Sequence, residues 1–325
     1  MFWKGPVFTR SGFRNQTINL DNCEVVEGCD GEEDGIIIPL FRNCHTHLGD
    51  TLARNLVPRN LTLAELVGPG GWKHKWLEQN DIEKSITEGM KEIISSGTGL
   101  ILDFREGGKE GLTVFDNIEY PGTAILLGRP KNGEELPGKN AGISSLKDVS
   151  NYSDIVTAAR KNGGLVGIHH SENEREDIDA LINLAPDFVV HMCHASDDDL
   201  EKVKDAGISV VVCPRSNEYF GNIPPLEKMI DLGMDIGFGT DNGMLCSVNM
   251  LEEIRFIREK FSSIELDSIL SIACFGLDDI FNKDGISTYS NLDQNGWILL
   301  SRADEDNYES IFNPNCEILG VRWRN

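Results

Sequence analysis

The chain has 325 residues, 40% of them hydrophobic and 26% charged, the composition of a water-soluble protein with a substantial core. Its 30 basic and 53 acidic residues give a formal charge of −23, which repels phosphate backbones and anionic lipid heads and makes nucleic acid and membranes poor partners. No run stays apolar over the roughly 18–20 residues of a membrane span, and "MFWKGPVFTRSGF" lacks a signal's apolar stretch, so a cytoplasmic protein with its eight cysteines as reduced thiols is expected.

Residues 1–38 are turn-rich, with short alternating runs such as "QTINLDNCEVVEG". Over residues 39–285 the pattern becomes strand, then helix, repeated. The apolar runs "GIIIPLFRNC", "GLILDF", "TAILLGR", "GLVGIHH", "DFVVHMC", "ISVVVCP" and "MDIGFGTD" read as parallel strands buried on both faces. "AGISSLKDVS" supplies one more strand end. Helix-period segments such as "DIEKSITEGMKEIISSG", "DLEKVKDAG" and "PPLEKMIDLG" lie between them, each stopped by a glycine. Eight such units in about 250 residues predict an α/β fold, a (β/α)8 TIM-like barrel. An open doubly wound sheet competes, and periodicity alone does not separate the two. Residues 286–325 return to short strands, "GWILLSR" and "CEILGVRW". Neither end can bury a core alone, so the two are expected to pair into one small β-domain beside the barrel.

Six of the seven histidines fall at the C-terminal ends of these runs: His45 and His47, His169 and His170, His191 and His194. In a parallel barrel that rim carries the catalytic groups. Residues i and i+2 of a strand share a face with Cα atoms roughly 6.6 Å apart, so both rings of "HTH" can converge on one cation. Neutral imidazole suits zinc and similar divalent metals. One strand-end histidine would be an ordinary half-buried polar residue; six at the same rim are a pattern. Asp241, in "DIGFGTDNG", adds a carboxylate at the last strand end, where a turn or capping aspartate would look the same. "GFGTDNG" also approaches a dinucleotide fingerprint, but its third glycine is one residue late and it is far from a first βα turn.

"NCHTHLGDTLARNL" resembles the first-strand N-x-H-x-H motif of the amidohydrolase superfamily, and "GIHHSEN" its fifth-strand H-x-x-E. "VVHMCHAS" resembles its sixth-strand histidine, "VVVCPRSN" its seventh-strand P-x-S-N, and "GFGTDNG" its eighth-strand G-T-D. The branch they resemble is the cytosine-deaminase-like and triazine-hydrolase (chlorohydrolase) group. The resemblance implies one divalent ion, zinc before iron or manganese, held by His45, His47, His169 and Asp241. The choice of His169 over His170 rests on the H-x-x-E spacing to Glu172. It also implies catalytic roles for Glu172, as the acid that protonates substrate, and for His191 and Asp241, beside the attacking water. Some relatives bridge two metals with a fourth-strand carboxylated lysine; Lys147 is near that place, but Glu172 favours the one-metal type. Trp72, Lys73 and His74 fall on the segment that covers the substrate in relatives. His194, Arg129, Arg215 and Asn217 are further substrate-binding candidates from their positions near strand ends, guanidinium being suited to carboxylate or phosphate.

A cation of this kind lowers the pKa of water from about 15.7 towards 7 and supplies hydroxide at neutral pH. The leading expectation is therefore a metal-dependent deaminase of an amino-substituted N-heterocycle, a purine, nucleoside or related small molecule. The alternatives are hydrolysis of another C–N or C–Cl bond at the same site, or a barrel that binds without turnover. A homo-oligomer is compatible with either.

Overall fold

The computed structural model describes residues 2–22, 24–27, 35–130, 135–147, 152–281 and 296–323. The N-terminal runs pair with their neighbours: β1 (Phe2–Thr9), β2 (Gly12–Asn19) and β3 (Glu24–Val26) form an antiparallel meander, and β4 (Ile36–Pro39) lies parallel to β1. The barrel strands follow as β5 (Phe41–His47), β6 (Thr98–Arg105), β7 (Thr123–Gly128), β8 (Asn140–Ile143), β9 (Val166–His170), β10 (Phe188–His191), β11 (Ser209–Val212) and β12 (Ile236–Phe238). A two-residue strand, β13 (Asp241–Asn242), comes next, and β14 (Gly296–Leu300) and β15 (Ile318–Trp323) lie near the C-terminal end.

The second sheet has the order β12-β11-β10-β9-β8-β7-β6-β5-β13, with every pairing parallel. Only Gly239 and Thr240 separate β12 from β13, so both ends of that order belong to one chain segment and the sheet closes on itself. This is the expected eight-stranded barrel, not an open sheet. Closure requires a tight passage: a Cβ on Gly239 would stand 2.8 Å from His45 Cβ and 2.9 Å from the backbone N and O of His45. Gly239→Ala is therefore expected to destabilise the fold by about 1–3 kcal/mol through overpacking, read as a lower thermal midpoint.

The connecting helices bury one stripe each. The helix Ile82–Ser95 is capped by Asp81, whose side chain accepts from Lys84 N, and it sends Ile86, Met90 and Ile93 into the core. It ends before Gly97, whose φ of +74° suits a residue without a Cβ.

The remaining strands form a six-stranded sheet of order β15-β14-β4-β1-β2-β3, drawn from both ends of the chain. Ile36 and Ile38 of β4 pack with Phe8, Ile298 and Leu300 into the same core as Ile254, Ile257 and Leu270 of the barrel helices. Ile37, between them, faces Trp3, Val7 and Trp297 on the other side, as a two-residue period demands. The run "GIIIPLFRNC", read from the sequence as one strand, is thus shared between two sheets. The boundary expected at 285/286 lies outside the described residues.

Candidate metal centre

His45 and His47 share one face of β5 at its C-terminal end, and Asp241 pairs with Thr46 beside them. His45 Nε2 is 3.2 Å and His47 Nε2 3.5 Å from Asp241 Oδ1. His169, from the end of β9, brings its Nε2 to 3.2 Å from His45 Nε2. One ligand atom from each of these four residues lies within 4.8 Å of all the others. Phe104 floors the group, its ring centroid 4.6 Å from that of His45 and 4.8 Å from that of His169.

The hydrogen bonds fix which nitrogens are free. His169 Nδ1 lies 3.0 Å from the Ile143 carbonyl, which can only accept, so the proton sits on Nδ1 and Nε2 keeps its lone pair. His47 Nδ1 likewise donates to Glu106 Oε1 at 2.9 Å. The lone pairs of His47 and His169 and a carboxylate oxygen of Asp241 therefore crowd around His45 Nε2, which is 3.2 Å from both His169 Nε2 and Asp241 Oδ1. The buried His45 Nδ1 also has no hydrogen-bond partner. A divalent cation resolves that crowding, and three imidazoles with one carboxylate is a donor set that suits one. Burial depresses the imidazole basicity of all three histidines, taking His47 down to about 3 with help from Lys73. Burial works the other way on Asp241, but His45 and His191 outweigh it and hold the carboxyl well below its usual range. The ligands are thus poised neutral and anionic, as metal binding needs.

Beside the cluster, His191 Nε2 is 3.5 Å from Glu172 Oε2. Asn217 donates from Nδ2 to His191 Nδ1 at 3.1 Å, which leaves the Nε2 hydrogen facing Glu172. Burial, with a smaller push from Asp241, raises the Glu172 carboxyl to about 7 against the opposing pull of His191. His191, Met192 and Asp241 all hold positive φ, of 81°, 56° and 57°, a concentration of strained backbone around one site. A cavity of about 260 Å³ opens above these groups. His47, His169, Glu172, His191 and Asp241 line its base, and Leu63, Val67 and Pro69 its cover.

The pattern described as the Amidohydrolase family matches residues 149–283. A protein of Archaeoglobus fulgidus, provisionally named an aminohydrolase, is 33% identical over 299 residues, covering 87% of this chain and 88% of its own. The chain belongs to the amidohydrolase family. It is a hydrolase of carbon–nitrogen bonds, in a family that acts on small molecules. A 5-methylthioadenosine/S-adenosylhomocysteine deaminase of Caldanaerobacter subterraneus subsp. tengcongensis is 27% identical, over 77% of this amidohydrolase and 66% of that protein. The fold is similar to that of 5-methylcytosine deaminase from Klebsiella pneumoniae, with a TM-score of 0.74 at 15% identity over 100% of this chain and 97% of that one. Among the described residues, no helix of this amidohydrolase is long and apolar enough to cross a membrane.

Not every residue singled out from the sequence reaches the site. Lys73, His74 and Arg129 line the cavity, but Trp72 does not; it packs against Ala53, Leu66 and Met244. His194 lies outside, bonded to Asn222 Oδ1 at 3.0 Å, because the left-handed turn at His191 and Met192 leads the chain away. Asn217 is buried behind His191 instead of facing substrate. His170 lines the cavity yet is absent from the metal-ligand group, with Nε2 3.3 Å from the Asp177 carbonyl oxygen. Lys147 sits on the rim, half exposed and 2.5 Å from Glu174. Among the described residues, Cys44, Cys193, Cys213, Cys246 and Cys316 are free thiols.

Arg215 turns outward as well. Its guanidinium is 3.0 Å from Glu252 and 3.7 Å from Glu253, and its backbone N donates to Glu253 Oε1 at 3.1 Å. Burial pushes the fully buried Glu253 up from 4.5 to about 7 despite Arg215. A raised carboxyl means that the folded state resists ionisation, so this group subtracts stability as pH rises from 4.5 to 7 and by a constant amount above. Glu253→Gln should therefore gain on the native protein between pH 4.5 and 8, by on the order of 2–3 kcal/mol, in denaturant titrations at both pH values.

The sequence alone assigns no role to several residues that surround the ligands. Glu106, Asp50, Asp103 and Arg105 form a buried charge network next to His47, with Arg105 3.0 Å from Asp103 and 2.8 Å from Glu106. Charged residues that close an apolar strand, in "DFREGG" after the second barrel strand, were the available signal. Burial alone would raise the Glu106 carboxyl, but Lys73, His47 and Arg105 hold it well below its usual range. Ser216 donates to Asp241 Oδ2 at 2.6 Å from the "PRSN" segment.

Proposed function

We propose that the protein is a metal-dependent deaminase of an amino-substituted N-heterocycle, a purine, a nucleoside or a related small molecule. The observation that carries this reading is the juxtaposition of a four-residue donor set with a protonatable carboxyl, Glu172, at the base of one small cavity. A divalent ion, zinc before iron or manganese, held by His45, His47, His169 and Asp241 would supply hydroxide at neutral pH. Glu172, with a carboxyl near 7, delivers a proton to the ring nitrogen of the substrate as the neighbouring carbon is attacked. His191, held in one tautomer by Asn217, orients the attacking oxygen, and Asp241 accepts its proton. Asp241 passes that proton to the exocyclic amine, the carbon–nitrogen bond breaks to release ammonia, and the hydroxyl becomes the carbonyl as its proton returns to Glu172. Names of relatives such as 5-methylthioadenosine/S-adenosylhomocysteine deaminase favour aminopurine nucleosides as the first compounds to try.

Ammonia release from a panel of aminopurines, their nucleosides and aminopyrimidines is the test, using zinc-loaded protein. At least one member should be deaminated. Protein that carries one ion per chain and deaminates none overturns the deaminase reading, and chloride or amine release from a triazine would replace it.

A further inference from the structure

We propose that Lys73 and Glu106 are positioning residues that couple the helix Trp72–Gln79 to the metal centre, so that ion binding and seating of this helix are one equilibrium. The inference rests on the metal-centre reading above and adds a role that the ligand set does not contain.

Lys73 is the buried residue of its helix, with 3% of its side chain exposed. An ammonium has three donors, and here three groups meet it: Asn242 Oδ1 at 2.7 Å, Glu106 Oε1 at 2.8 Å and Asp50 Oδ2 at 3.2 Å. Two of these groups touch a ligand directly. Glu106 Oε1 accepts from His47 Nδ1 at 2.9 Å, and Asn242 Nδ2 donates to Asp241 Oδ1 at 3.0 Å. One cation on the covering segment thus reaches two of the four donors, each through a single intermediary.

Glu106 is the hub of this arrangement. Arg105 at 2.8 Å and Arg129 at 3.2 Å join Lys73 around it. Three cations keep its oxygens acceptors, so the proton of His47 stays on Nδ1 and the Nε2 lone pair stays aimed at the ion. Glu106 stands behind the cavity lining, to which its partners Lys73 and Arg129 belong. Withdrawal of the helix would remove Lys73 from Glu106 and Asn242 together and loosen both ligands. By thermodynamic reciprocity, an ion that binds more tightly when the helix is seated must hold the helix seated by the same factor.

The experiment uses the full chain and zinc. Hydrogen exchange of peptides spanning residues 72–79 is followed with and without the ion, and zinc affinity is measured by chelator competition in the native protein, Lys73→Met and Glu106→Gln. Zinc should slow exchange of the native helix at least ~10-fold. Each variant should bind zinc roughly 10–100-fold more weakly, the range for loss of an outer hydrogen bond to a metal ligand, and Lys73→Met should lose the zinc-dependent protection. Native affinity in both folded variants overturns the coupling, as does exchange in the native helix that zinc leaves unchanged; the second comparison needs no variant to fold. A native protein that takes up no zinc overturns the metal centre itself and the coupling with it, whereas uptake without protection overturns the coupling alone.

Discussion

Glu172→Gln is expected to lower kcat by about 10²–10⁴-fold, the usual range for removing a general acid, and to leave the metal content at the native level. The two readouts separate because Glu172 faces His191, 3.5 Å away, and converges with His191 and Asp241 in a second cluster beside the four proposed ligands, not among those four. Glutamine keeps the size of the side chain and can accept or donate a hydrogen bond, but it cannot give up a proton to a ring nitrogen. The pH dependence has a definite sign. With the carboxyl near 7 before an ion is bound, the acid form is present below that value and lost above it, so kcat/KM should fall on the alkaline side. An ion in the site favours the carboxylate and moves the break downward. Assays of both forms across pH 5–9, with metal content measured on the same samples, check both statements. A variant that retains native kcat removes Glu172 from the chemistry.

Asp241→Asn should be more damaging, taking bound metal from one ion per chain to a small fraction and activity down by roughly 10⁴-fold or more, to the level without its activating ion. Asp241 Oδ1 is the atom that both first-strand histidines approach, and its Oδ2 is fixed by Ser216 at 2.6 Å. Asparagine is the informative replacement. The residue sits at φ +57°, a conformation asparagine tolerates almost as well as any residue with a side chain. Backbone strain is then held constant while the anionic ligand is lost. Elemental analysis and turnover on a substrate identified with the native protein give the answer; full metal occupancy in this variant would dissociate Asp241 from the ion.

The candidate ligands come from the resemblance to the amidohydrolase superfamily, and local geometry is compatible with them. Two histidines at i and i+2 must share a face of a strand, and of the adjacent His169 and His170 only one can point to the axis. The buried parallel strands were legible in the chain itself, since strands covered on both faces are apolar throughout, but their closure into a barrel was not, because it depends on β13 returning to pair with β5. What could not be read depends on distant segments. Glu106, Asp50 and Asn242 acquire meaning only when Lys73 arrives from another segment, and a single sequence contains no sign of that meeting. Trp72, proposed from the covering segment of relatives, and Arg215, proposed from its place near a strand end, lie away from the cavity lining because neither argument fixes which way a side chain on a short helix turns. Arg215 finds Glu252 and Glu253 on its outer side, and that attraction decides its direction. His194 is separated from His191 by two residues, and the left-handed turn at His191 and Met192 cancels the face the pattern would have given it.

The ring of strands is completed by Asp241 and Asn242, which lie against Thr46 and His47. The last stave of the barrel therefore carries the fourth of the proposed metal claws. A nascent chain interrupted before residue 241 would own three imidazoles and no finished vessel, so the hydrolytic centre is born only when the wall itself is whole.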